Sequence, residues 1–481
     1  MQSKTDVKYQ QLLYLPKLKS MIVEQIYTSC LSQGSYYIES GGEAAIVDPL
    51  RELAPYIARA AKDNARIKYI FETHFHADFV SGHVSLAQET GAQIVFGPNA
   101  NPTYQALIAE DNQEFKIGKL TLVVLHTPGH TMESTTYLLK DENGKDHAIF
   151  SGDTLFLGDV GRPDLAQKSD SMTQEDLAGI LFDSLRNKIM PLADTVIVYP
   201  AHGAGSACGK NMMKETVDTL GNQKRVNYAL RADMTQAEFI EEVTEGLQLP
   251  PAYFPSNVKL NREGYEHIDA ILDRGTKRLA PNAFELLAKS SGALVLDVRN
   301  REDFIQGHVP GSIYIGLDGG FAPWVGSLVA DISRAILLIA PQGKVVEAIT
   351  RLARVGFDNT LGFLDGGILA WEEAGKPIAH MQSMQAEVFK SELKHHIPVF
   401  DVRNPREYGN SCIASAINTP LSSLDEFLES FPKEEPFYLY CDGGYRSVIA
   451  TSILKSKGIH NAIDVANGFV AIKAVGIPVT L

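Results

Sequence analysis

The sequence predicts an α/β protein of three units: a larger one in its first half and two copies of a smaller one behind it. Three observations carry this. The chain has 481 residues, too many for one core when domains run to about 100–200 residues. Its first half alternates short apolar runs with helical segments, and polar residues cluster just past the run ends. Its second half repeats itself at an interval of roughly 100 residues, the mark of a duplicated domain.

In the first half, residues 44–47, 68–71, 93–96, 120–125, 148–150 and 195–199 are short apolar runs bounded by turn residues, and each predicts a strand. Residues 53–62 and 177–189 place apolar side chains at helical spacing and predict helices. A layered α/β unit whose site lies at the strand edges accounts for the polar residues gathered there. Residues 236–246 are again helical in spacing, and Leu249-Pro250-Pro251-Ala252-Tyr253-Phe254-Pro255 breaks the pattern. A linker is therefore expected around 250–285, with a helical turn at 268–272.

Beyond it, Leu296-Asp297-Val298-Arg299-Asn300 recurs as Phe400-Asp401-Val402-Arg403-Asn404, followed by Glu302 and Glu407 respectively. The apolar runs 336–339 and 437–440 correspond. Asp365-Gly366-Gly367 corresponds to Ala466-Asn467-Gly468, and Ala340 stands as far before Gly367 as Cys441 before Gly468. Two such copies make two α/β domains of one fold, too few and too long for a solenoid. The expected domains are 20–262, 280–382 and 383–481.

Bulk composition excludes several classes. The hydrophobic share of 44% is that of ordinary globular protein. No apolar run approaches the roughly 20 residues of a membrane span, and residues 1–20 lack the pattern of a signal peptide. A net charge of -14 argues against nucleic acid or an anionic membrane as partner, while leaving room for a local basic pocket. The four cysteines Cys30, Cys208, Cys412 and Cys441 form no C-x-x-C pair, which suits the reducing cytoplasm.

Four loops carry metal-ligand chemistry. Thr73-His74-Phe75-His76-Ala77-Asp78-Phe79 follows the strand at 68–71, and alternate residues at a strand end point the same way, so His74 and His76 are expected to reach one volume. His130 lies in His126-Thr127-Pro128-Gly129-His130-Thr131, Asp153 in Ser151-Gly152-Asp153-Thr154, and His202 in Pro200-Ala201-His202-Gly203. Imidazoles and a carboxylate at the ends of separate strands suit a metal site assembled from distant sequence.

H-x-H-x-D, H-T-P-G-H-T, S-G-D-T-L-F and P-A-H-G in this order, over residues 20–210, resemble the metallo-β-lactamase superfamily, which implies an αββα sandwich. Two-metal hydrolases of that superfamily carry H-x-H-x-D-H. Phe79 replaces the last His here, which implies one metal. The single-metal branch that the chain resembles is the persulfide dioxygenases. That resemblance implies Fe(II), one per chain, on His74, His130 and Asp153, with zinc as the alternative. Such a set leaves one face of the ion open. His76, Asp78 and His202 are then implied to orient ligands or substrate, with direct metal binding by His76 an alternative. Gly158-Asp159-Val160-Gly161-Arg162-Pro163-Asp164 resembles the stretch after the aspartate ligand in the same branch. Arg162 is implied either to brace that loop through carboxylates or to bind a carboxylate of a thiol carrier. Residues 203–210 resemble the stretch seen where this dioxygenase is fused to rhodanese domains. Cys208, with Lys210 nearby, is expected as a structural thiol or as a low-pKa thiol handling sulfur.

Cys441-Asp442-Gly443-Gly444-Tyr445-Arg446-Ser447 follows the strand at 437–440 and precedes a helical segment. Backbone N–H groups of Gly443 and Gly444, with the helix N-terminus, suit a thiolate, and Arg446 supplies a cation for sulfite or thiosulfate oxygens. With the Asp-Val-Arg and Gly-rich signatures this resembles the rhodanese sulfurtransferases. The first copy has Ala340 in place of the cysteine and no matching Arg, so it resembles a pseudo-rhodanese with a scaffolding or oligomer role; a homo-oligomer is expected. Cys412 has no functional account.

End to end the chain resembles persulfide dioxygenase–rhodanese fusions. The resemblance implies oxidation of a small thiol persulfide by O2 to sulfite, and sulfur transfer through Cys441 that makes or consumes thiosulfate. The alternatives are a glyoxalase-II-like zinc thioester hydrolase, and a sulfur carrier or partner-binding protein.

Overall fold

The computed structural model describes residues 21–165, 172–247, 249–393 and 397–480; the stretch 1–20, on which the signal-peptide expectation rests, lies outside the described residues. Two six-stranded sheets build the first unit. One runs in chain order from Ile22–Thr28 to Leu107–Ile108, the other from Glu114–Ile117 through Asp146–Gly152 and Ile197–Pro200 to Asp218–Thr219. Alternation along the strands sorts their side chains into layers. Tyr36, Ile38, Val47 and Phe71 face Leu122, Val124, Leu139 and Phe150 between the sheets. Their neighbours Tyr37, Ile46 and Ile70 face outward onto Tyr56, Ala60 and Leu86, from the helices Ala54–Lys62 and His83–Thr90. On the far side Val123, Leu125 and Ile149 meet Ala178 and Leu181 of Gln174–Ser184 and Phe239 of Gln236–Thr244. The αββα sandwich is therefore present. The helix expected at 177–189 begins at Gln174 because Thr173 caps it, in a reciprocal box with Asp176.

Each repeat folds around a five-stranded parallel sheet. The spatial order is Arg278–Leu279, Thr360–Leu364, Ile336–Ile339, Leu294–Asp297, Ile313–Tyr314 in the first. It is Gln382–Met384, Ala462–Val465, Phe437–Tyr440, Val399–Asp401, Ala416–Asn418 in the second. The Asp-Val-Arg motif is a buried brace. Arg299 grips Asp297 and the carbonyl of Gly307; Arg403 grips Asp401 and the carbonyl of Ser411.

The helical turn expected at 268–272 is present, but the linker expected around it is largely packed helix. Residues 254–275 form the helices Phe254–Glu263 and Ile268–Gly275. Pro255 sits in the first turn, where a missing N–H is no loss, so it starts a helix rather than ending one. Asn261 on the first of these helices donates to the carbonyls of His76 and Phe79, both at 2.8 Å, and accepts from the Ser81 N–H. The second packs Ile268 and Ile271 among Ile349 and Leu352 of the first repeat.

One apolar seam joins all three units, running from Leu50 and Phe79 through Tyr253 and Val325 to Phe400 and Val448. Polar clasps flank it. Buried Arg51 donates to Asp358 at 2.9 and 3.2 Å and to the carbonyls of Ala353 and Glu266. Arg354 pairs with Glu52. The repeats meet where the Tyr445 hydroxyl donates to the Gly316 carbonyl and the Tyr314 N–H donates to Ser452 Oγ. No helix among the described residues is long and apolar enough to cross a membrane.

Candidate functional site

At one edge of the sandwich, loops after three different strands bring His74, His130 and Asp153 together, their ligand atoms all within 4.8 Å of one another and all three residues buried. Asp153 Oδ2 lies 3.5 Å from His130 Nε2 and 3.9 Å from His74 Nε2, and it has no hydrogen-bond partner. An orphaned buried carboxylate oxygen costs stability unless something cationic meets it. The other nitrogens explain why both Nε2 atoms are available. His74 Nδ1 lies 3.0 Å from Thr73 Oγ1, whose proton goes to Asp48 Oδ2 at 2.9 Å. His130 Nδ1 donates to the Arg162 carbonyl at 2.8 Å. Each Nδ1 is thereby the protonated one, and each Nε2 keeps its lone pair for a metal. The donor set fits a divalent transition metal. Burial holds His74 well below the ordinary imidazole pKa, which keeps it neutral as a ligand must be.

Asp153 Oδ1 is taken by His202 Nδ1 at 2.8 Å, and His202 Nε2 lies 2.8 Å from Asp78 Oδ2. Burial disfavours charge on His202, but the two carboxylates outweigh it and raise its pKa well above the usual value. Burial likewise opposes ionisation of Asp153, yet His202, His74 and His130 draw its pKa far below the carboxylate range. His202 and Asp78 thus hold Asp153 in place; neither belongs to the set of His74, His130 and Asp153, but with Cys208 they form a second buried cluster of possible metal-ligating groups beside it.

His76 lies beside His74, their ring centroids 4.2 Å apart, but it is not among the groups converging with Asp153 and clusters with Asp48 and Glu72 instead. Its Nε2 lies 3.1 Å from Asp48 and 3.8 Å from Glu72, and its ring stacks on Phe79. The strand Arg66–Phe71 ends before the motif, so strand alternation no longer governs where these side chains point. Arg162 is buried and grips Asp164 through two bonds of 2.6 Å, with a third to the Ala207 carbonyl; it also lines a cavity of about 790 Å³ that reaches Asn404 and Arg406 of the second repeat. Cys208 packs beside Asp78 and His202. Burial, with Asp78 and Asp153, pushes its thiol pKa well up, the reverse of the low-pKa expectation. Lys210 gives it no help, since its Nζ donates to the carbonyls of Glu242 and Glu245.

In the second repeat Cys441 is buried at the end of Phe437–Tyr440. The Gly444 N–H donates to Cys441 Sγ at 3.1 Å, and the Ser447 hydroxyl approaches it at 3.5 Å. Gly444 takes a φ of +92°, and the loop leads straight into the helix Tyr445–Ser456. Gly443 meets open space. Arg446 is clamped by Glu407 through bonds of 2.6 and 2.7 Å. Its burial is outweighed by Glu407, Cys441 and Asp442, which keep it charged. All four cysteines are free thiols, and Cys412 is tied to Thr480.

Sequence reasoning missed Asp48, Glu72 and Ser447. Asp48 was detectable, because it follows its strand Glu43–Val47 as directly as Asp153 follows its own.

The sandwich with its convergent groups, and the two parallel-sheet repeats, define the class. A model of the metallo-beta-lactamase superfamily matches residues 29–202, and a rhodanese-like domain model matches 281–374 and 385–475. The chain belongs to the metallo-β-lactamase superfamily and carries two rhodanese-like domains behind that unit. The crystal structure of a metallo-beta-lactamase from Staphylococcus aureus subsp. aureus COL is 32% identical with a TM-score of 0.65, the match covering 72% of this chain and 99% of that one. A cytoplasmic hydroxyacylglutathione hydrolase of Arabidopsis thaliana is 33% identical over 28% of this chain; the match spans 54% of that relative, about half its length. A mitochondrial persulfide dioxygenase of Homo sapiens is 29% identical over 43% of this chain and 73% of its own.

Proposed function

We propose that this chain uses one Fe(II) and O2 to oxidise the outer sulfur of a small thiol persulfide to sulfite, and moves sulfane sulfur through Cys441 to make or consume thiosulfate, a sulfide-detoxifying pair of activities. The observation that carries the reading is the convergence of two imidazole Nε2 atoms on an unpartnered Asp153 oxygen, with Phe79 in place of a further His. Similarity to a human persulfide dioxygenase and the two rhodanese-like domains support it.

The balanced oxidation is RSSH + O2 + H2O → RSH + SO3²⁻ + 2 H⁺. Bound by His74, His130 and Asp153, Fe(II) would supply a centre that polarises and orients both reactants. The protein's part is positional. Thr73 and the Arg162 carbonyl hold the two imidazoles, and His202 holds Asp153. In the second step the Cys441 thiolate attacks the outer sulfur of a second persulfide RSSH, the S–S bond of that persulfide breaks, its thiol RSH leaves with the proton, and the cysteine becomes Cys–S–S⁻. Sulfite attacks the outer sulfur, the S–S bond breaks, and the Cys441 thiolate leaves as thiosulfate forms. Gly444 N–H and Ser447 Oγ face Cys441 Sγ, the sulfur that carries the charge before the transfer and again when the thiolate leaves. The reverse flow uses the same groups.

The test is oxygen uptake by iron-loaded protein with glutathione and coenzyme A persulfides, with sulfite and thiosulfate both quantified. Asp153→Ala abolishes oxygen uptake. Cys441→Ser keeps oxygen uptake and shifts the product from thiosulfate to sulfite. Loss of one and the same activity in both variants rules out two separate sites. Thioester turnover with bound zinc and no oxygen uptake replaces this reading with a hydrolase.

A further inference from the structure

The peptide unit between Gly443 and Gly444 has both its polar ends occupied, and by different domains. Its N–H, on Gly444, donates to Cys441 Sγ at 3.1 Å. Its carbonyl, on Gly443, accepts from Arg301 Nη1 at 2.5 Å, and Arg301 belongs to the first, cysteine-less repeat. Arg301 Nη2 donates in addition to Asn467 Oδ1 at 2.8 Å, in the turn after the neighbouring strand Ala462–Val465, while its Nε pairs with Glu302. A Cβ on Gly444 would stand 2.4 Å from Arg301 Nη1, so the close approach depends on glycine there.

We infer that Arg301 is a positioning residue for sulfur transfer, reaching across the domain boundary to hold and polarise the peptide whose N–H donates to the Cys441 sulfur. This rests on the reading of Cys441 as a sulfur carrier. A peptide flanked by two glycines turns over easily, and a flip would point the carbonyl at the sulfur in place of the N–H. A guanidinium on the carbonyl forbids that flip. It also strengthens the N–H at the opposite end, because hydrogen bonds in series polarise one another and those to charged groups are the stronger ones. The cysteine-less repeat then has a reason to be kept, since it completes the loop of its partner. Its own loop has Ala340 at the cysteine position and carries no sulfur to serve.

Other charged groups near the sulfur are Arg446 with its partner Glu407, Asp442 in the loop, and Asp464 behind Ser447 on the neighbouring strand. All of them stay in an Arg301 variant, so a change in the sulfur's titration reports the clamp.

The experiment follows kcat/KM for sulfane-sulfur transfer from thiosulfate to cyanide along the acid limb of its pH profile, which reports the thiol of the free enzyme. In Arg301→Ala the midpoint moves up by about one pH unit, a roughly 10-fold loss of rate at a given pH on the acid limb, and Arg301→Lys recovers part of it. An Arg301→Ala limb that superposes on that of the parent overturns the inference. If a lowered melting temperature shows that Ala disturbs the domain contact, Arg301→Lys against Arg301→Met decides, and identical limbs in those two overturn it. Transfer activity that survives Cys441→Ser instead removes the sulfur-carrier reading on which the clamp depends.

Discussion

Asp464 lies in the wall behind the sulfur loop, fully buried, with Ser383 donating to one of its oxygens at 2.8 Å. Burial raises its pKa to about 6, against the pull of Ser447, Ser383 and Arg301. An acid whose folded pKa lies above its unfolded one binds its proton more tightly when folded. Its cost is absent below the unfolded value of about 4 and complete above the folded one, so stability falls as pH rises through that window. The shift corresponds to roughly 3 kcal/mol at most. Asp464→Asn is therefore expected to gain up to about 3 kcal/mol over the parent near pH 8 and almost nothing below about pH 4, as read by urea unfolding at both. Thr73 makes a second case. Thr73→Val removes the hydroxyl that sets the His74 tautomer, and metal affinity measured by chelator competition is expected to drop about 10-fold or more.

Among the elements, the loops that end strands do the chemical positioning, and glycines set how near they come. A Cβ on Gly161 would lie 2.0 Å from the Asp153 carbonyl and 2.9 Å from His130 Nδ1. Gly161→Ala must push those two ligand loops apart, so bound metal is lost while far-UV circular dichroism keeps the signature of the parent. The helix Phe254–Glu263 belongs to the site as much as any strand, because Asn261 anchors both ends of the His76–Phe79 turn. Its proline-rich start looks like a linker to any local rule. Only the buried carbonyls waiting for Asn261 show that the segment has a docking place.

Across the whole molecule, the continuous apolar seam and the Arg51 clasp bind the metal unit to the first repeat. Asp358 is the sole carboxylate that Arg51 grips among the described residues, and the Arg51 side chain is fully buried. Removing one partner of a buried pair strands the other's charge and costs about 3–5 kcal/mol; partial exposure of Asp358 places the expectation at the lower end. Asp358→Ala should lower the melting temperature and open the segment between the units to limited proteolysis. If Asp358→Ala melts and resists protease like the parent, the clasp contributes nothing to the docking.

The sequence by itself determined the three-unit α/β plan, the duplication, the sulfur loop and the loops that supply His74, His130 and Asp153. These are local properties: side-chain period, turn residues and motif spacing follow from backbone geometry over a few residues. Tertiary structure decided where His76 turns, that Cys208 has a raised pKa, that residues 254–275 are packed helices, and that Arg301 lies against a glycine 142 residues away. Those outcomes depend on which buried carboxylates, carbonyls and apolar faces meet after the whole chain has packed, and no short window of sequence contains both partners of such a contact.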